Sequence, residues 1–264
     1  MILPLVRSVG RMGIGAGTSF SAFLVHMYQI TLLAWRTITC TPLWVKNLKE
    51  GFHQMRILGV QSLALVMSVS TFVGAEVVVQ AEFQFSGVIP LRFLGFAVFN
   101  TIISEFAPVI TSVVVAGRIA ASMAAEISNM KSTEQLDAMT CLNLDHTRYL
   151  VLPRVVASIV MMPVLVVFAD LVAVGAAIVT TALFVDITLY QFISSMKWYF
   201  SAADLLVGTF KCSIFGCLVA LVGCYSGFVA ERGAQGTGEA ASKAVVLSCV
   251  LILVADFVVA FLML

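Results

Sequence analysis

The sequence predicts an all-α polytopic membrane protein, with an N-terminal interfacial helix and five transmembrane helices. Three observations carry this expectation. Of 264 residues, 61% are hydrophobic and only 11% are charged, against roughly a quarter charged in soluble domains. The apolar residues fall in runs at least as long as the about 20 residues that one bilayer crossing needs. The short alternation of apolar and polar residues that builds an outer-membrane barrel is missing.

Two regions follow, an N-terminal interfacial region over 1–57 and a five-helix unit over 58–264. The start combines Arg7 and Arg11 with Gly10, Gly13, Gly15 and Gly17. A phosphate-cradling loop needs Lys-Ser/Thr after its glycines and a strand before them, and this segment has neither. An apolar run containing His26 and Gln29 then ends at Trp35-Arg36. It lacks the unbroken core and small-residue cleavage site of a signal peptide. An amphipathic helix lying in the membrane interface over roughly 18–40 fits it, anchored by Trp35, Trp44 and neighbouring basic residues.

The crossings are expected at about 59–80, 91–128, 150–183, 202–228 and 240–262. Several are longer than the minimum, which predicts tilt, projection beyond the bilayer, or kinks at Pro108 or Pro163. Twelve of the 15 lysines and arginines precede the first span or flank the second-to-third and fourth-to-fifth connections. Arg92 and Lys197 flank the opposite connections, and Lys211 lies inside a span. The positive-inside rule therefore places the N-terminus in the cytoplasm and the C-terminus outside.

Between the second and third spans, residues about 132–144 predict a short helix on the cytoplasmic side. Ser132 with Gln135 fits a capping box, and Glu134 and Asp137 put negative charge in the first turn. Leu136 and Met139 form an apolar ridge too small to build a core of its own, so it needs a partner surface. An ordinary connecting loop is the alternative.

Several chemistries are excluded. The net charge is +1 and no basic stripe with interleaved aromatics occurs, so nucleic acid is not an expected partner. His26, His53 and His146 are scattered without ligands at metal spacing. The six cysteines form no C-x-x-C pair and read as small packing residues. Neither G-x-S-x-G nor H-E-x-x-H occurs, and no catalytic residue is expected. Five spans cannot divide into the equal inverted halves of many secondary carriers.

Ionisable groups inside apolar spans face a cavity or each other, because lipid exposure costs about 3 kcal/mol or more. Counting along the spans sets Glu76, Asp204 and Asp256 toward the outer half, with Glu105 and Lys211 nearer the midplane. These five are the candidate polar pocket, and Asp170 near mid-depth is structural. Asp204 and Lys211 share a helix face, but about 10 Å along the helix separates them. Lys211 should meet Asp256, Glu105 or an anionic headgroup instead. The stripes Ala116-x-x-x-Ala120-x-x-x-Ala124, Gly117-x-x-x-Ala121-x-x-x-Ala125 and Gly223-x-x-x-Gly227 let helices approach closely, within one chain or across a dimer.

The run Ser104-Glu-Phe-Ala-Pro108, then Ala116-Gly-Arg118, Ala125-Glu126-Ile, Met130 to Met139 and Pro153-Arg154 resembles the MlaE/YrbE permease family. These are the membrane subunits of ABC transporters that act with MCE-domain proteins in lipid trafficking. The likeness extends from about residue 10 to the C-terminus, and Asp204, Lys211 and Asp256-Phe257 match further family positions. The family's usual arginine before the glutamate is Ser104 here, so a role carried by that arginine does not transfer.

The resemblance implies a homodimeric permease of the bacterial inner membrane with a periplasmic C-terminus. It identifies the polar segment as a coupling helix, with Glu134, Leu136, Asp137 and Met139 facing a separate cytoplasmic ATPase. It also implies an outward-open phospholipid pocket under a periplasmic MCE-domain ring. No cofactor is expected on this chain, since ATP is used by the partner. The other reading of the same charges is a passive channel or ion-coupled carrier built around Glu105, Lys211 and Asp256.

Overall fold

The computed structural model describes residues 25–39, 48–85, 90, 93–185, 187–198 and 202–263. The glycine cluster, Trp44 and Arg92 lie outside these residues. Nine α-helices follow in order among the described residues. α1 spans 25–39. The next are α2 (Leu48–Phe85), α3 (Leu94–Thr101), α4 (Ala107–Ser132), α5 (Gln135–Cys141) and α6 (Leu152–Phe184). The last three are α7 (Leu189–Trp198), α8 (Ala202–Val229) and α9 (Ala234–Met263).

Among the described residues, five stretches are long and apolar enough to cross a membrane: Lys49–Phe85, Leu94–Ser132, Thr147–Phe184, Ala203–Val229 and Ala234–Leu262. Each contains one expected crossing, apart from a few terminal residues. α2 starts at Leu48, so the boundary expected at residue 57 falls inside a continuous helix. Glu50 in its first turn accepts a hydrogen bond from Gln54 Nε2, holding this extension in helical form.

α2 lies along α6, α6 along α8, and α8 against α4, while α9 packs on both α4 and α8. Two of the small-residue stripes, Ala116/Ala120/Ala124 and Gly223/Gly227, meet within the chain, whereas Gly117 of the third faces open space. Ala116, Ala120 and Ala124 are fully buried, and a Cβ at Gly227 would stand 2.9 Å from the Ala124 carbonyl oxygen. Phe72, Phe83, Leu183, Phe257 and Phe261 are exposed on the outside of the bundle. Such an apolar exterior suits lipid, where the helices already satisfy their own backbone groups.

The expected kink at Pro108 takes the form of a widened turn. Residues Ile102–Phe106 are π-helical, and the Ala107 N–H donates to the Ile102 carbonyl, five residues back. Pro108 has no N–H for the Ser104 carbonyl and its ring crowds that oxygen, so the turn dilates ahead of it. The pattern recurs at Thr147–Val151, where the Leu152 N–H reaches back to Thr147 just before Pro153. Pro163, by contrast, sits within an uninterrupted α6.

α7 was not expected as an element. Phe192 and Met196 are buried, while Tyr190 and Trp198 are largely exposed. It rests on α3, at the opposite end of the bundle from α5. Exposed aromatics on a short amphipathic helix are what an interfacial position requires.

Candidate functional site: an ion cluster at the widened turn

The dilated turn carries Glu105, and α8 passes directly against it. A Cβ on Gly208 would lie 2.6 Å from the Ile103 carbonyl oxygen, so only glycine permits this approach. One turn along α8, Lys211 is on the same face. Its Nζ lies 2.8 Å from Glu105 Oε1 and 3.2 Å from Asp256 Oδ1 of α9. One turn the other way from Gly208, Asp204 Oδ2 accepts a hydrogen bond from Asn100 Nδ2 at 3.0 Å. A polar seam therefore runs from Asn100 and Asp204 down to Glu105, Lys211 and Asp256.

Its electrostatics are asymmetric. Lys211 is 1% exposed, with a carboxylate on each of two neighbouring elements, so it is closed to a headgroup. The open member is Glu105, whose side chain is 46% exposed. Two carboxylates share one ammonium, which leaves a formal charge of −1 on the cluster. Glu76 is exposed on α2 and forms no ion pair among the described residues. Asp170 is buried in α6, with one carboxylate oxygen lacking a hydrogen-bond partner among the described residues.

At the other end, the expected capping box does not form. α4 runs on to Ser132, and Ser132 Oγ accepts from the Gly233 N–H in the α8–α9 turn. The chain instead reverses at Glu134, which has φ 61°. Helix α5 is therefore shorter than the expected 132–144. Leu136 is turned into the bundle at 9% exposure, which corrects its placement on an outward ridge; Met139 is half-buried. The outward apolar side chain is Leu142, at 71% exposure.

Polar ties join this end into one piece. Lys131 Nζ donates to the Phe228 and Ala230 carbonyls, each at 2.7 Å, capping α8 where its dipole is negative. Arg232 lies 2.9 Å from Asp137 and 3.6 Å from Glu134. Arg154 is buried and bonds Glu126 at 3.0 Å, linking α6 to α4.

The family described as Permease MlaE matches residues 52–262. The chain belongs to the MlaE permease family. A probable ABC transporter permease protein of Rickettsia felis is 32% identical over 98% of this chain and 97% of that protein. A probable ABC transporter permease protein of Synechocystis is 33% identical over 82% of each. The Arabidopsis thaliana chloroplastic protein TRIGALACTOSYLDIACYLGLYCEROL 1 is 32% identical over 80% of this chain and 60% of its own length. This is an ABC transporter permease, which implies a separate ATPase subunit.

In this MlaE-family permease, Glu105 and Pro108 act together, because the proline creates the turn that presents the glutamate. Glu126 and Arg154 are likewise partners across two helices. Sequence reasoning missed Asn100 of α3, the donor to Asp204; an amide within an apolar run was its only signal. It also missed Arg232, a lone arginine in the fourth-to-fifth connection.

Proposed function

We propose that the chain is the permease subunit of an ABC transporter that moves phospholipid or a related lipid between the bacterial inner membrane and a periplasmic MCE-domain carrier. The observation that carries this reading is Glu105, a half-open carboxylate inside a membrane span, backed by a closed Lys211. An open charge at that depth calls for a polar ligand, and a headgroup moving through hydrocarbon needs such groups to replace its water. The name of the Arabidopsis relative, which is that of a diacylglycerol lipid, supports a lipid substrate. Glu105, Asp204 and Asp256 line the seam, Lys211 holds its two carboxylates in place, and Glu76 lies on its own at the outer surface of α2. Two copies of the chain build the working unit.

On the cytoplasmic side, α5 receives the ATPase. Glu134 and Asp137 are tied to Arg232, so a push on α5 reaches α8 and α9; Met139 and Leu142 supply the apolar contact, and Leu136 seats the helix. The test is transfer of labelled phospholipid from proteoliposomes holding the permease with its ATPase to an acceptor carrier. ATP-dependent transfer is expected. ATP-independent ion flux without lipid movement would mean a channel or carrier.

Orientation is tested by cysteine labelling. In a background without native cysteines, Gln191→Cys on α7 should react with an impermeant reagent from the periplasm. Gln135→Cys on α5 should react only after the inner membrane is opened. The reverse order would overturn the cytoplasmic placement of α5.

A further inference from the structure

A cavity of about 720 Å³ opens between α1, α8 and α9 at the α5 end of the bundle. This is the size of pockets that hold small ligands. Its wall is chemically graded along α9. Glu231 in the α8–α9 turn, with Glu239 and Lys243, lines one end, while Val246, Leu247 and Val250 line the other. Glu239 and Val250 are separated by about 16 Å of helix, close to the roughly 15 Å depth of one leaflet's hydrocarbon. A wall charged at the interface and aliphatic toward the midplane matches an amphiphile standing upright in that leaflet.

The side of the cavity is fixed. His26 Nδ1 lies 2.6 Å from the Tyr225 hydroxyl, which donates to Gln29 Oε1. Tyr225 is itself buried, so this network pins α1 onto α8. Among the described residues, the charges at the mouth are two carboxylates and one ammonium. Lys243 Nζ lies 3.2 Å from Glu239 Oε2, and Glu231 forms no ion pair among the described residues. Lys243 suits a phosphate, and the two glutamates suit a cationic amine beside it. A headgroup without an amine would set its negative charge against two carboxylates.

We propose that this cavity is a second lipid site, taking an amine-bearing, zwitterionic glycerophospholipid from the leaflet at the α5 end. It rests on the reading of the chain as a lipid permease and extends it. Tyr225 is about 21 Å along α8 from Lys211, so the cavity and the ion cluster serve opposite leaflets.

The test is native mass spectrometry of the purified full chain in detergent with dioleoyl phosphatidylethanolamine or dioleoyl phosphatidylglycerol added. The wild type is expected to prefer phosphatidylethanolamine. Glu231→Gln with Glu239→Gln should lower that preference about tenfold, the loss of one charge-assisted contact. Val246→Trp, which fills the aliphatic end, should lower phosphatidylethanolamine occupancy at least about fivefold, on the same scale. The double glutamine variant changes only exposed side chains, so it decides the matter even if the tryptophan variant does not fold.

Equal binding of the two lipids by the wild type would overturn the proposal, as would an unchanged preference in the double glutamine variant. Displacement by soluble phosphoethanolamine alone would show a free-headgroup site and also overturn it. So would loss of chain dimers without loss of lipid in Val246→Trp, since a second copy would then fill the cavity. Intact lipid selectivity without ATP-driven transfer would instead count against the transport reading alone.

Discussion

Lys211→Ala should lower the stability of the detergent-solubilised chain by about 3 kcal/mol, the lower end of the cost of breaking a buried ion pair. The lower end applies because Glu105 is half open and can recover some hydration. Asp256 has no such relief, with its side chain 19% exposed. Adding Asp256→Asn should therefore recover about 1–2 kcal/mol, the size of coupling expected between residues in contact. Adding Glu105→Gln should recover less. Thermal unfolding of the single and double variants reads this directly, and wild-type stability in Lys211→Ala would remove the ion cluster from any structural role.

Leu136→Arg and Leu142→Arg should separate seating from docking, although the two leucines are only six residues apart. Leu136 is buried against the bundle, so an arginine there buries an uncompensated charge. The expected result is a loss of about 3 kcal/mol or more, and release of α5 from the permease. Leu142 is exposed, so its variant should keep full stability and lose ATPase association, with ATP-driven lipid transfer falling at least about tenfold. The measurements are thermal stability and ATPase co-purification, side by side. If Leu142→Arg leaves both association and transfer intact, the outward face of α5 is not the contact surface.

The five spans were legible because each is a long apolar run whose length alone answers the thickness of a bilayer. Lys211 was legible in part. A lysine in a span demands a carboxylate, and Asp256 and Glu105 were the available ones; the structure shows that it takes both, since α8 sits between α9 and the dilated turn. The surface around α5 was misread for a specific reason. A capping box and an apolar ridge are patterns of isolated helices, and neither reports which side faces the parent bundle. Ser132 spends its hydroxyl on the α8–α9 turn, and Leu136 finds its apolar surroundings at home. α7 was hidden because the spans are found by length, and ten residues in a connection fall far short of a crossing.

A π turn contains one residue more than the helix around it needs. In the vocabulary of insertions and deletions, the segment Ile102–Phe106 is a single-residue insertion that has been kept. Removing one residue there would restore an ordinary helical ladder, and it would also rotate everything before it by about 100° relative to α4. Asn100 would swing away from Asp204, and α3 would leave its seat on α7. Among homologous sequences, a one-residue gap at this place therefore marks a chain that has lost the polar seam, even where Glu105, Lys211 and Asp256 are all retained.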